Sequence, residues 1–310
     1  MDSSVARHLR EFVGEEIIYI PNPGNAGDSL IAAATYQLFD QLGLTYVTPR
    51  FQHIQPRNRI VIYGGGGNLV SPGTFSGRLC RELHKEARRL IILPHTIKNV
   101  SPLLQAFGPN VDVFCRERTS YEYVSSQAKS ANTFLADDMA IGLRINDPNG
   151  PYPGQLGGLS PLLIYVHKKL FTKDGLPSLS NVLRATRRKS IRERLERLTN
   201  ADTLFCFRTD PEKSQIPIPE NNVDVSEVFR FGVSPRIIAY LAAYEVFRFL
   251  GRFETIHTNR LHMAIGGALA GCQVKFYENN YYKCRAVYLY SLAGRFPNVE
   301  WMSQGESSLG

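Results

Sequence analysis

The chain carries two basic residues, Arg260 and His262, at the head of an apolar stretch, HTNRLHMAIGGALAG, running from His257 to Gly271. Thr258 or Asn259 fits as an N-cap, which places both in or beside the first turn of a helix. The helix dipole makes that end partly positive, so each added cation costs a few tenths to about 1 kcal/mol there. An anion bound at the helix start turns this repulsion into attraction. The bland alternative is a surface arginine and a histidine satisfied within the fold. Met263, Ala264, Ile265, Ala268 and Leu269 continue as an ordinary core helix, in which Gly266 and Gly267 permit close packing against a sheet.

Five further candidates follow short apolar runs. After EIIYI comes the loop Pro21–Leu30, in which Asn25 is a hydrogen-bonding group and Asp28 a possible base; the alternative is a turn with Asp28 or Ser29 as helix cap. This loop fits neither G-x-G-x-x-G nor the Walker pattern. After RIVIY come four glycines, Gly64–Gly67, then Asn68. Close approach by a ligand or by another backbone accounts for such a run, with Gly65, Gly66 and Asn68 as binding groups; the alternative is a flexible loop. After LIIL comes Pro94-His95-Thr96, where a histidine that titrates near neutrality either reaches the site or closes a turn. After VDVFC comes Arg116, suited to carboxylate or phosphate by its planar fork, unless Glu117 neutralises an arginine here. Last is the pair Asp137 and Asp138, which could hold Mg²⁺, cap a helix or orient the arginines. We take Asp138 as a substrate-binding residue and expect no metal.

The elements that must position these residues are strands and helices in alternation. Glu16–Ile20, Arg59–Tyr63, Leu90–Leu93, Val111–Cys115 and Thr133–Leu135 have the composition of buried strands. Ser29–Gln41, Ser76–Arg89 and Arg118–Gln127 between them have helical periodicity. A segment rich in Gly and Pro, Asp147–Ser160, breaks the pattern as a linker. Strands are expected again at Leu162–Val166, Thr203–Phe207, Glu254–His257 and Gln273–Tyr277, and helices at Asn181–Leu198, Ser234–Leu250 and Tyr281–Leu292. Alternation of this kind implies parallel sheets with right-handed crossovers. The expected architecture is α/β, with two similar domains, 1–150 and 151–310, facing each other across a cleft. In such sheets ligands bind at the carboxyl ends of the strands, where the candidates lie.

The 310 residues are ample for two cores. Hydrophobic residues are 43% and charged residues 21%, which places the chain among globular proteins. The net charge of +8 points to an anionic partner. The most basic run, Arg184–Arg197, is spaced either for i,i+4 pairs on a solvated helix or for contact with acidic lipid or polymer. Aromatics are not interleaved with it, so nucleic acid is not an expected partner. The cysteines, odd in number and widely spaced, argue against a disulfide framework or a zinc knuckle. The start, MDSSVARHLREF, has no apolar signal region, and no apolar run reaches the ~18 residues of a membrane span. The expected location is cytoplasmic, with peripheral contact at the inner face of the membrane left open.

Taken together, GNAGDSLI (24–31), GGGGNL (64–69), LPHT (93–96), CRERTS (115–120), ADDMA (136–140) and TNRLHMAIGGALAG (258–271) resemble the polysaccharide pyruvyl transferase family, in its order and across positions 16–292. One departure is Glu117, where an Asp is more usual; it keeps the carboxylate. The resemblance implies two Rossmann-like domains in a GT-B-like arrangement, phosphoenolpyruvate as donor substrate with no cofactor, and as acceptor a sugar in a surface polysaccharide or its lipid-linked precursor. It implies donor contacts by Arg260, His262, His95 and Arg116. On that basis we assign Arg116 and Arg260 to donor anion binding, His262 and His95 jointly to proton transfer and phosphate contact, and Asn25 and Asp28 to the acceptor side. Two rivals stay open at this point: a GT-B glycosyltransferase using a nucleotide sugar, and a non-catalytic polysaccharide-binding or scaffold member.

Overall fold

The computed structural model describes residues 3–144, 202–210 and 213–302. The linker at Asp147–Ser160, the strand at Leu162–Val166, the helix at Asn181–Leu198 and the basic run Arg184–Arg197 lie outside the described residues. The chain divides into two compact units. The first comprises Met1–Pro23, Ile31–Leu143 and Leu289–Ser291, the second Gly24–Leu30, Arg144–Tyr288 and Leu292–Gly310.

Unit 1 is built on a seven-stranded sheet. Its strands are β1 (Glu16–Ile20), β2 (Thr45–Val47), β3 (Ile60–Tyr63), β4 (Gly66–Leu69), β5 (Arg89–Ile97), β6 (Val111–Cys115) and β7 (Asn132–Leu135). They run in the order β2-β1-β3-β5-β6-β7, with β4 paired to β5, and every pairing is parallel. A parallel sheet is covered on both faces, which is why its central strands are apolar without alternation. Ile17–Ile20, Ile60–Tyr63, Leu90–Leu93 and Val111–Cys115 are all buried. The helices are α1 (Ser4–Leu9), α2 (Ala26–Leu42), α3 (Phe75–Glu86), α4 (Ser101–Gln105) and α5 (Arg118–Gln127). The first turn of α2 falls in the segment grouped with unit 2, and the rest of the helix in unit 1.

Two expectations change here. The PHT segment is not a loop after a strand: β5 continues through Pro94, His95 and Thr96 to Ile97. A proline is tolerated because the register shifts between Ile92 and His95, where the ladder is irregular. Nor is GGGG simply a loop, since Gly66 and Gly67 open β4 alongside β5. The neighbour that comes close to these glycines is the chain itself. A Cβ on Gly64 would lie 2.7 Å from the backbone nitrogen of Asn22, and one on Gly65 2.8 Å from the carbonyl of Pro94.

Unit 2 has a four-stranded parallel sheet in the order β11-β10-β9-β8: β8 is Thr203–Cys206, β9 Thr255–Thr258, β10 Gln273–Tyr277 and β11 Val299–Met302. Its helices are α6 (Val225–Val228), α7 (Arg236–Leu250), α8 (Leu261–Ala270) and α9 (Lys283–Val287); a looser turn, Tyr288–Leu292, follows α9, and its residues Leu289–Ser291 group with unit 1. Close packing of α8 on its sheet explains its glycines: a Cβ on Gly267 would come within 2.9 Å of Ile256 and 3.0 Å of Val274. The helix ends at Gly271, whose φ of 86° is a left-handed cap that glycine adopts without strain. No described helix is long and apolar enough to cross a membrane.

Candidate active site

Parallel registry brings the carboxyl ends of the strands to one edge of each sheet, and the candidate residues gather at both edges. In unit 1, pairing of Ile20 with Tyr63, of His95 with Cys115 and of Cys115 with Leu135 sets Asn22, His95, Arg116 and Ala136 at one level. Here the structure assembles a buried polar network. Tyr63 donates its hydroxyl to Asn22 Oδ1 at 2.7 Å, Asn68 Nδ2 reaches the same oxygen at 3.0 Å, and Ser76 donates to Asn68 Oδ1 at 2.5 Å. His95 is fully buried and stacks on the Tyr63 ring at 5.5 Å. Its two ring nitrogens face two acceptors, the Leu93 carbonyl at 3.2 Å and Asn68 Oδ1 at 3.3 Å. Burial, with the adjacent charge of Arg116, lowers its pKa to about 3. The ring is therefore neutral at ordinary pH and donates from one nitrogen only.

Arg116 is 1% exposed. Its Nη1 donates to Asp138 Oδ2 at 2.8 Å and its Nε to Thr96 Oγ1 at 2.8 Å. Asp138 Oδ1 also accepts from the Ala140 amide at 2.9 Å, capping a short helical turn, Met139–Gly142. Asp138 thus does two of the things its sequence allowed, capping and orienting an arginine, while Asp137 accepts from Ser291 at 2.9 Å. Glu117 does not neutralise an arginine by direct contact: it caps α5, accepting from the Ser120 amide at 2.8 Å. Gly65, Gly66 and Asn68 lie within this same framework, Gly66 directly against the Asn22 side chain.

In unit 2 the first turn of α2 and the first turn of α8 lie together. Asn25 Oδ1 accepts from the Gly27 amide at 2.9 Å, while the Asp28 carboxylate accepts from the Asn25 amide at 2.9 Å. The two residues form a reciprocal cap on the start of α2. A Cβ on Gly27 would fall 2.8 Å from Cγ and 2.9 Å from Cβ of His262, so only glycine lets this turn lie against that imidazole. Asn25 and Asp28 thus stand at the start of α2, in the segment grouped with unit 2, where Gly27 lies against His262.

Arg260, rather than Thr258 or Asn259, is the N-cap residue of α8; it stands beside the first turn, as expected, and is 4% exposed. Thr258 Oγ1 accepts from its amide at 3.0 Å. Its guanidinium forks onto Asp224, with Nε 3.0 Å from Oδ1 and Nη2 on Oδ2, and its Nη1 lies 3.0 Å from Asp210 Oδ2. Burial opposes its charge, but the hydrogen bonds and charge of Asp224, with Asp210 behind, outweigh that and raise its pKa. The partner that the sequence left to an outside anion is thus supplied in part by the chain. Asp210 is itself chelated by Arg208, at 2.8 Å from Nε to Oδ1 and 2.9 Å from Nη2 to Oδ2. The side chain of Asp210 is 32% exposed and that of Asp224 only 8%.

Arg208, Asp210, Asp224 and Asn22 were not among the residues read from sequence. Arg208 and Asn22 each follow a strand by two residues, so the rule that found Arg260 would have found them. Asp224 carries no such signal.

A family model described as polysaccharide pyruvyl transferase matches residues 25–281. The chain belongs to this family. The match takes in both edges, from Asn25 to the loop after β10. The polysaccharide pyruvyl transferases are transferases with a saccharide acceptor. A solved structure of a functionally uncharacterized protein from Klebsiella pneumoniae subsp. pneumoniae NTUH-K2044 is 28% identical, with a TM-score of 0.71, covering 96% of this chain and 97% of that one. No curated protein matches.

Proposed function

We propose that this polysaccharide pyruvyl transferase moves pyruvate from phosphoenolpyruvate to two hydroxyls of one sugar, forming a cyclic ketal. The observation that carries this reading is Asp210: a carboxylate about a third exposed, held by Arg208 and Arg260 at the start of α8. Two guanidiniums arranged around one carboxylate can exchange it for another of the same shape, that of the donor. Asp224 meanwhile keeps Arg260 oriented.

The reaction adds a sugar hydroxyl across the enol double bond. The methylene carbon takes a proton and becomes methyl, and the sugar oxygen bonds to the central carbon. The carbon–oxygen bond to phosphate then breaks, a second hydroxyl attacks the same carbon, and its proton leaves with the phosphate. Proton delivery suits His262, at the start of α8 against Gly27, better than His95, which is sealed within unit 1 and held neutral. His95, Asn68, Arg116 and Asp138 are assigned to shaping unit 1 for the acceptor, and Asn25 and Asp28 to positioning His262. The proposal includes the GT-B-like pairing of the units, an acceptor that is a surface polysaccharide or its lipid-linked precursor, and action at the inner face of the membrane.

The test is incubation with phosphoenolpyruvate and acceptor oligosaccharides, with mass spectrometry for a pyruvyl ketal and assay of released phosphate. A parallel incubation uses nucleotide sugars. Ketal formation with the first donor supports the reading; glycosyl transfer from the second donor and none from the first would replace it.

A further inference from the structure

After β10 the chain passes through Glu278 and Asn279 towards α9. Asn279 is 4% exposed, yet both its amide nitrogen and its amide oxygen are buried with no hydrogen-bond partner among the described residues. A buried amide left in this state destabilises the fold unless a ligand completes it. The other buried polar side chains nearby on this edge are engaged. Asn259 accepts from the Arg208 amide at 2.8 Å and donates to Ser214 at 3.2 Å, and Thr258 donates to the Cys206 carbonyl at 2.6 Å.

Registry places the exception at the carboxyl edge of the sheet, the edge at which open α/β sheets take ligands. Phe276 pairs with Thr258, so β10 ends at the same carboxyl edge from which β9 leads into α8, and Asn279 follows two residues after β10. The thiol of Cys284 reaches the Asn259 carbonyl at 3.6 Å and ties α9 to the same strand end. The segment also brings a cation, Lys283, which is 8% exposed with Nζ 4.8 Å above the Tyr281 ring.

We propose that Asn279 is a phosphate-recognition residue, holding the phosphoryl end of the donor at the start of α8 beside Lys283. The proposal rests on the donor reading above and fixes the direction in which the donor lies. The carboxylate end goes to Arg208 and Arg260, where a carboxylate already sits. The phosphoryl end goes to the amide, because a phosphate near neutrality offers both anionic oxygens to Nδ2 and, when singly protonated, a P–OH to Oδ1. A carboxylate offers acceptors only.

The experiment measures melting temperature and calorimetric affinity for wild type, Asn279→Leu and Asn279→Asp, with phosphoenolpyruvate, inorganic phosphate and pyruvate as separate probes. Asn279→Leu should leave the ligand-free melting temperature equal or raised, since it removes an unpartnered polar group. It should weaken phosphate and phosphoenolpyruvate roughly tenfold or more and pyruvate by less than about twofold, as expected when one hydrogen bond to a charged group is lost. Asn279→Asp, similar in shape but anionic, should weaken the two phosphates further. A ligand-free melting temperature several degrees lower in both variants would make the amide structural and overturn the proposal, as would wild-type phosphate affinity in either. If wild type itself binds no phosphoenolpyruvate, the donor reading fails and this inference with it; binding by wild type and variants alike defeats only this inference.

Discussion

The carboxyl edges of the two sheets use the same kinds of residue to opposite ends. In unit 1, Arg116 and His95 lie at 1% and 0% exposure, and hydrogen bonds to Asp138, Thr96, Asn68 and Leu93 engage them from within the chain. In unit 2, Arg260 shares one of its carboxylates with Arg208, that carboxylate is a third exposed, and a nearby amide has no partner among the described residues. The difference teaches that an arginine and a histidine at strand ends do not by themselves mark a binding site. What matters is whether the fold satisfies them completely or leaves part of the work to a ligand.

The largest expected effect tests the closed character of unit 1. Arg116→Met leaves Asp138 buried without its counter-charge and should cost about 3–5 kcal/mol in denaturant unfolding. A loss under about 1 kcal/mol would mean that the pair is effectively solvated, and the contrast with unit 2 would collapse. Next is Arg260→Lys, which keeps the charge and loses the fork. It should lower kcat/KM with phosphoenolpyruvate on the order of a hundredfold, and near-wild-type turnover would remove Arg260 from the donor site.

His95 gives a pH signature. Its folded pKa is depressed to about 3, so between that value and the ordinary histidine range the unfolded chain binds a proton that the folded chain refuses. Stability is therefore unaffected by this group above pH ~6.5 and falls as the pH drops below it, by about 2 kcal/mol at pH 5. Urea unfolding of wild type and His95→Gln at pH 7 and pH 5 should show that much less acid sensitivity in the variant; equal slopes would show His95 to be solvated. The smallest effect concerns Asp210. Asp210→Asn should tighten phosphoenolpyruvate binding roughly threefold to tenfold, with stability changed by less than about 1 kcal/mol, because the pairs it breaks are partly exposed. Calorimetry that showed weaker binding would make Asp210 a support of the site and not a stand-in for the donor's carboxylate.

Much of the fold was legible because strands buried on both faces and amphipathic helices have distinct periods. The helix Arg118–Gln127 and the strands EIIYI, VDVFC and QVKFY lie where the sequence reading set them. Less legible were strands with weak apolar signal: β4 opens on glycines and β2 has only three residues. The extension of β5 through Pro94 was hidden for the same reason, since proline normally argues against a central strand.

The sequence by itself determined the family, the α/β class and the strand-end positions at which chemistry could sit, since these depend on local pattern and motif order. Only the tertiary structure decided which cations are spent inside the fold. Asp138 meets Arg116 across 22 residues and Asp224 meets Arg260 across 36, and such pairings follow from sheet registry and chain crossover. The same physics set the first turn of α2, with Asn25 and Asp28, against His262, because Gly27 leaves room for an imidazole there. Burial then fixed what each group can do. It takes the charge from His95, sustains that of Arg260 only with carboxylate partners, and leaves Asn279 as a polar side chain whose partner the described fold does not supply.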